Sequence, residues 1–158
     1  MKLTVYIKTF NELNTTELYD LLQLRSEIFV VEQDCVYQDL DGKDDKAIHV
    51  LAYYDQKLVA YTRLFKPGDY FEEASIGRVV VRKNYRQHRF GYDIMNASID
   101  FLKLEHGIKT IKISAQTYLK RFYNNLGFKE VGEGYLEDGI PHIGMIKEIN
   151  SPPHSQHK

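Results

Sequence analysis

The chain has 158 residues, the size of one domain, and its 43% hydrophobic and 27% charged residues exclude wholesale disorder. Twenty-one basic against 22 acidic side chains leave a formal net charge of −1, which argues against a protein built to grip a nucleic-acid backbone. No apolar run approaches the roughly 18 residues of a membrane-spanning helix, and the single Cys35 rules out an internal disulfide.

Val5 and Ile7 alternate with Thr4, Tyr6 and Lys8, which is the period of a strand and not the apolar block of a secretory signal. Asn14 followed by Glu17 is a capping-box start, and Leu18, Leu21, Leu22, Arg25, Ile28 and Phe29 then keep helical spacing. Glu32 to Lys46 is polar, acidic and broken by Gly42, so it reads as a loop. His49–Tyr54 and Leu58–Phe65 are strand-like runs joined by a turn at Asp55, Gln56 and Lys57. After a turn at Pro67, Gly68 and Asp69, Ser75–Val81 is a strand whose run Val79, Val80, Val81 predicts burial on both faces.

Phe90, Ile94, Ala97, Phe101 and Leu104 share one helix face, closed by Gly107. Ile108–Ser114 is a strand, and Leu119, Phe122, Tyr123 and Leu126 form a short helix ended by Gly127. Phe128–Gly132 and Ile140–Ile149 are the last strands, around a turn at Asp138 and Gly139. The order β-α-β-β-β-α-β-α-β-β is that of a mixed α/β layered sandwich, one domain over 1–150. The polar segment 151–158, with Pro152 and Pro153, is expected to be a disordered tail. The whole reads as a cytoplasmic protein.

Chemistry concentrates between Val79 and Phe101. Arg82, Lys83, Arg86 and Arg89 precede a helix beginning near Gly91, and a helix N-terminus offers unpaired N–H groups and a positive dipole end to a phosphate. A solvated basic loop is the alternative. Neither G-x-G-x-x-G nor G-x-x-x-x-G-K-[ST] is present, which disfavours a Rossmann or P-loop site. Six acidic residues (Glu32, Asp34, Asp39, Asp41, Asp44 and Asp45) share the stretch Glu32–Asp45 with only Lys43 opposing them. They would attract a cationic amine if they line a site, or form a solvated acidic loop if they do not. The histidines show no paired-ligand spacing, so no metal is expected. Cys35 fits a buried packing role better than an acyl-carrying one.

Arg86-Gln87-His88-Arg89-Phe90-Gly91, after a valine-rich strand, resembles the pyrophosphate loop of the GNAT acyl-CoA N-acyltransferases, whose pattern is Q/R-x-x-G-x-G/A. Gln116, Tyr123 and Gly127-Phe128 are similar to that superfamily's N-x-x-x-x-x-x-Y-x-x-x-G-F segment. A narrower resemblance, to the ElaA-like branch, is carried by Phe29-Val30-Val31-Glu32-Gln33, Cys35, Tyr37, Asp39, Asp41, Gly77-Arg78-Val79 and Asp138-Gly139-Ile140-Pro141-His142. Arg89 stands where the pattern has its first glycine and Gln116 where it has asparagine. The charge on Arg89 could pair with a phosphate.

The resemblance implies a mixed, mostly antiparallel central sheet flanked by helices, with acetyl-CoA as co-substrate. Pantetheine would lie along Val79, Val80 and Val81. The pyrophosphate would meet Arg86 and the segment Gln87, His88, Arg89, Phe90, Gly91 and Tyr92, with Gln116 nearby. Tyr123 matches the tyrosine that protonates the CoA sulfur, although spacing alone allows a core tyrosine beside Leu119 and Phe122. For the base, Glu32 comes first, then His142, with Asp138 a third candidate and a water chain with no dedicated residue an equal alternative. The implied reaction is direct transfer, in a ternary complex, to a primary amine: a cationic small molecule, a peptide N-terminus or a lysine side chain. The alternative is a non-catalytic acyl-CoA-binding domain. GNAT domains often pair through edge strands near the C-terminus, so a homodimer is also implied.

Overall fold

The structure, a computed structural model, describes residues 2–149, and the tail expected at 151–158 lies outside them. Seven strands form one sheet in the order β1-β2-β3-β4-β5-β7-β6. They are β1 (Leu3–Thr9), β2 (Ile48–Tyr54), β3 (Lys57–Phe65), β4 (Ala74–Val81), β5 (Thr110–Gln116), β6 (Lys129–Glu137) and β7 (Ile140–Glu148). Every neighbouring pair is antiparallel except β4 with β5. The sheet is therefore mixed and mostly antiparallel, with helices on its faces, and the element order is the one the residue periods predict.

Helix α1 (Thr15–Arg25) begins at the expected capping box: the Asn14 side chain accepts from the Glu17 N–H at 2.7 Å, and Glu17 returns the bond to the Asn14 N–H at 2.9 Å. It runs into a π-helical stretch, Ser26–Glu32, and its Leu21 and Leu24 pack with Leu51, Leu58, Tyr61 and Val80 in one core. Helix α2 (Phe90–His106) sets Phe90, Ile94, Met95, Ile99 and Leu102 into a second core of strand residues including Val50, Ile76 and Ile111. Each such side chain contributes about 1.5–3 kcal/mol on burial. Gly107 caps α2 in the left-handed conformation, φ 62°, that glycine adopts without steric cost. Helix α3 (Lys120–Asn125) follows β5. No helix among the described residues is long and apolar enough to cross a membrane.

Two departures from the expected strands matter for function. First, Val79, Val80 and Val81 are not buried on both faces: Val80 packs beneath α1, while Val79 and Val81 are half-buried. The cause is a bulge. Tyr61 pairs with Val80 and Arg63 with Gly77, so Arg78 and Val79 stand opposite the single residue Thr62, and Arg78 takes φ 49°. β4 then parts from β5, the two pairing only at Ala74–Ile111 and Ser75–Lys112. Second, β6 does not stop at Gly132 but resumes after an irregularity between Val131 and Tyr135 and reaches Glu137. That extension brings Glu137 to the parted end of the sheet.

Candidate active site

The wedge between β4 and β5 opens a cavity of about 530 Å³. Val79, Val80 and Val81 form one wall, and beyond Ser75 the β5-facing edge of β4 has no strand partner, so its backbone groups are available to a ligand. At one end lies the basic loop. Lys83–His88 winds as a tight 3-10 turn, and Arg89 then takes φ 62°, ψ 23° before α2 opens at Phe90. Arg89 thus takes the left-handed backbone that glycine adopts freely, a conformation that costs a side-chain-bearing residue about 1–2 kcal/mol. Its guanidinium lies 4.6 Å over the Tyr92 ring. A Cβ at Gly91 would sit 3.3 Å from the Phe122 ring, a tight contact that glycine avoids.

Among the residues expected to bind the cofactor, Val79, Val80, Val81, Arg86, Arg89, Gly91, Tyr92 and Gln116 all line this cavity. The side chains of Gln87, His88 and Phe90 do not. Phe90 is buried in the core, and the His88 ring stacks on Phe90 and Tyr54, 5.1 and 5.7 Å between centroids. What Phe90 and Gly91 can still offer is backbone, since the first N–H groups of a helix have no intrahelical acceptor. The Tyr92 N–H bonds the Arg89 carbonyl at 3.1 Å.

Tyr123, 6% exposed, is both a core residue and part of the cavity wall. Burial, with a smaller contribution from Tyr118, raises its hydroxyl above the usual tyrosine range, so it is protonated at neutral pH. His142 lines the same cavity and is 6% exposed. Its Nδ1 lies 2.7 Å from the Ile140 carbonyl. A carbonyl only accepts, so Nδ1 carries a proton, and Nε2 lies 3.9 Å from the Glu137 carboxylate. Glu137 is itself fixed by Ser114, whose hydroxyl donates to it at 3.0 Å and bonds the Tyr135 hydroxyl.

Glu32 ends the π-helical stretch and is clamped by both guanidinium nitrogens of Arg86, at 2.6 and 3.0 Å. Gln116 bonds Gln33 at 3.2 Å. The Asp138 carbonyl accepts from the Cys35 thiol at 3.2 Å, so Cys35 is half-exposed and ties its loop to the β6–β7 turn, where a buried packing residue was expected.

The acidic loop is neither of the two things its composition suggests. Asp39 meets Arg25 and Arg78 at 2.8 and 2.7 Å, Asp41 meets Arg63 at 2.7 Å, and Asp44 meets Arg25 and Arg63 at 2.7 and 3.0 Å. Burial works to raise the Asp41 carboxyl, but the hydrogen bonds and charge of Arg63 overcome it and hold the group down at about 2. Beneath the network His49 takes a hydrogen bond from the Tyr61 hydroxyl at 2.6 Å and gives one to the Asp44 carbonyl at 2.9 Å. These carboxylates are spent on scaffolding and leave little field for a ligand.

Asp39, Asp41 and Arg78, which carry part of the ElaA-like resemblance, are partners in this network. Sequence reasoning missed that pairing because Arg25, Arg63 and Arg78 come from three other elements. It also missed Glu137, whose signal was only its place directly before the Asp138-Gly139 turn.

The acetyltransferase (GNAT) domain family model matches residues 18–149. The chain belongs to the GNAT acetyltransferase family. It is 43% identical to protein ElaA of Escherichia coli K12 over 141 residues, covering 88% of this chain and 92% of that one, and the crystal structure of Escherichia coli ElaA superposes with a TM-score of 0.86. An acyl-CoA N-acyltransferase from Pseudomonas aeruginosa is similar at TM-score 0.86 and 40% identity, over 92% of this chain and 99% of that one. A GNAT family acetyltransferase from Elizabethkingia anophelis with acetyl-CoA bound shares the fold alone, at TM-score 0.63 and 16% identity over 93% and 98% of the two chains. Fold and family are those of acyl-CoA-dependent acyltransferases.

Proposed function

We propose that this GNAT protein is a cytoplasmic N-acetyltransferase that passes the acetyl group of acetyl-CoA directly to a primary amine. The carrying observation is that one cavity joins the parted edge of β4, the basic loop, Tyr123 and His142. Pantetheine lies along Val79–Val81, where an unpartnered N–H of β4 polarises the thioester carbonyl. The pyrophosphate meets Arg86, Arg89 and the first N–H groups of α2. His142 takes the amine proton at Nε2, and Glu137 offsets the charge of the imidazolium so formed. We assign the base to His142 in preference to Glu32, because Glu32 is already engaged by Arg86.

The Tyr123 hydroxyl is raised above a typical thiol, near 8.5. It therefore acts by hydrogen-bonding the departing sulfur as charge develops, an interaction of about 1.5–3 kcal/mol with a charged group. Tyr123→Phe should accordingly lower kcat by about 10–100-fold while calorimetric acetyl-CoA affinity stays within a factor of two. Unchanged turnover in that variant removes Tyr123 from the chemistry. A wild-type protein that binds acetyl-CoA yet acetylates no amine would be the non-catalytic binding domain.

A further inference from the structure

A second cavity, of about 440 Å³, adjoins the first and shares four of its lining residues, Tyr70, Phe71, Ser114 and Glu137. Tyr70 and Phe71 come from the turn between β3 and β4, which is closed by the Gly68 N–H bonding the Phe71 carbonyl at 2.8 Å. Phe65 stacks on Tyr70 with ring centroids 5.0 Å apart and planes at 13°, and Tyr70 meets Phe71 edge-on at 4.8 Å. The result is a continuous aromatic wall, and its outermost ring, Tyr70, is 39% exposed. Glu137 lies close enough that, after burial itself, its charge is the next cause raising the Tyr70 hydroxyl.

The charges on this side of the wedge can be counted. Arg63 and Arg78 line it but are matched by Asp39, Asp41 and Asp44. Glu137 and Asp138 have no arginine or lysine partner among the described residues. A wall of three aromatic rings, buried at Phe65 and open at Tyr70, beside one fixed carboxylate recognises a cation on an apolar body, by ion pairing and by the attraction of an ammonium to ring faces. The chain shows the second effect itself: Lys112 Nζ lies 5.2 Å over the Phe71 ring, in the outer cavity. That same lysine makes the outer cavity hostile to a second positive charge.

We propose that the acceptor is a singly charged arylalkyl primary amine, its ring laid on Tyr70 and Phe71 and its ammonium drawn in by Glu137, with long polycations turned away by Lys112. This rests on the acetyl-transfer reading above and narrows its acceptor. Glu137 is then a specificity-determining residue, and the aromatic wall sets the shape of the site.

The test uses the full chain saturated with CoA, so that amine binding is read without turnover, and calorimetry compares phenethylamine, butylamine and spermidine. Phenethylamine should bind at least tenfold more tightly than either of the others. Glu137→Gln should weaken it about tenfold or more, Phe71→Ala should erase its advantage over butylamine, and Lys112→Gln should improve spermidine. Equal or better binding of spermidine by the wild type, or no effect of Glu137→Gln, overturns the proposal. Failure of CoA itself to bind would instead overturn the acetyl-transfer reading, so the two outcomes are separate. Glu137→Asp, which keeps the charge, guards against a purely structural effect: it should retain most of the phenethylamine affinity that Glu137→Gln loses.

Discussion

The acidic loop at 32–45 and the basic loop at 82–91 flank the same cleft, and they hold their charges differently. Asp39, Asp41 and Asp44 are closed onto Arg25, Arg63 and Arg78, of which Arg25 and Arg63 are almost wholly buried. Arg86 and Arg89, by contrast, remain exposed, one clasping Glu32 and the other resting on Tyr92. The two loops look alike in composition, as runs of one sign. The difference teaches that a run of charge marks a ligand site only where the opposite charge has not already been supplied by the fold. Asp39, Asp41 and Asp44 are scaffold, whereas Arg89 has no carboxylate partner among the described residues.

The largest effect should come from breaking the scaffold. Arg25→Ala strands Asp39 and Asp44 without a partner they now share, and removing one member of a buried pair costs about 3–5 kcal/mol. Thermal unfolding should drop by on the order of 10 °C. A drop of a degree or less would mean that the network is solvated after all.

Next comes the double variant Arg86→Ala/Arg89→Ala. Its Tm should move little, since both side chains are exposed, while calorimetric CoA affinity should fall about 10–100-fold from the loss of charge-assisted bonds. Unaltered CoA affinity would erase the contrast between the loops.

Arg89→Gly sharpens it further. Relief of the left-handed backbone should raise stability by about 1 kcal/mol in urea unfolding, while CoA binding weakens. The two properties should move in opposite directions at one residue.

The smallest effect is in pH. Burial, outweighing the hydrogen bond to Asp44, lowers folded His49. The unfolded chain therefore takes that proton first, and its stabilising share is complete above about pH 6.5 and lost as pH falls below it. Asp41, held at about 2, contributes fully above about pH 4, and that share is lost as pH falls from there toward 2. Urea midpoints should thus decline in two stages on acidification, and Asp41→Asn should flatten the second.

How much of this was legible in the residues depends on the range of the interaction. The ten helices and strands were readable in order, because periodicity, the Asn14–Glu17 box and Gly107 are local signals. So was the loop from Arg86 to Gly91, where a short pattern does the marking. The bulge at Arg78 was not: the positive φ there falls on an arginine, with no glycine to announce it, and the register slip that forces it involves β3. For the same reason Val79 and Val81 looked like buried strand. The continuation of β6 past Gly132 was hidden by glycines that read as an end. The ion pairs of Asp39, Asp41 and Asp44 join positions 14 to 39 residues apart, beyond any spacing rule.

The parting of β4 from β5 has a mechanical side. Two residue pairs, Ala74–Ile111 and Ser75–Lys112, are the whole strand pairing between the four strands β1–β4 and the three strands β5–β7. Such a sheet behaves like a clothes-peg, sprung at one end and open at the other. Whatever fills the jaws ties the halves together and takes the place of the contacts that a full seam would have made. At a hundredfold excess over its Kd, a filling ligand adds about 2.7 kcal/mol to the whole molecule. Hydrogen exchange should report that gain on β5 and β7 as clearly as on β4, although the ligand's chain would lie against only one of them.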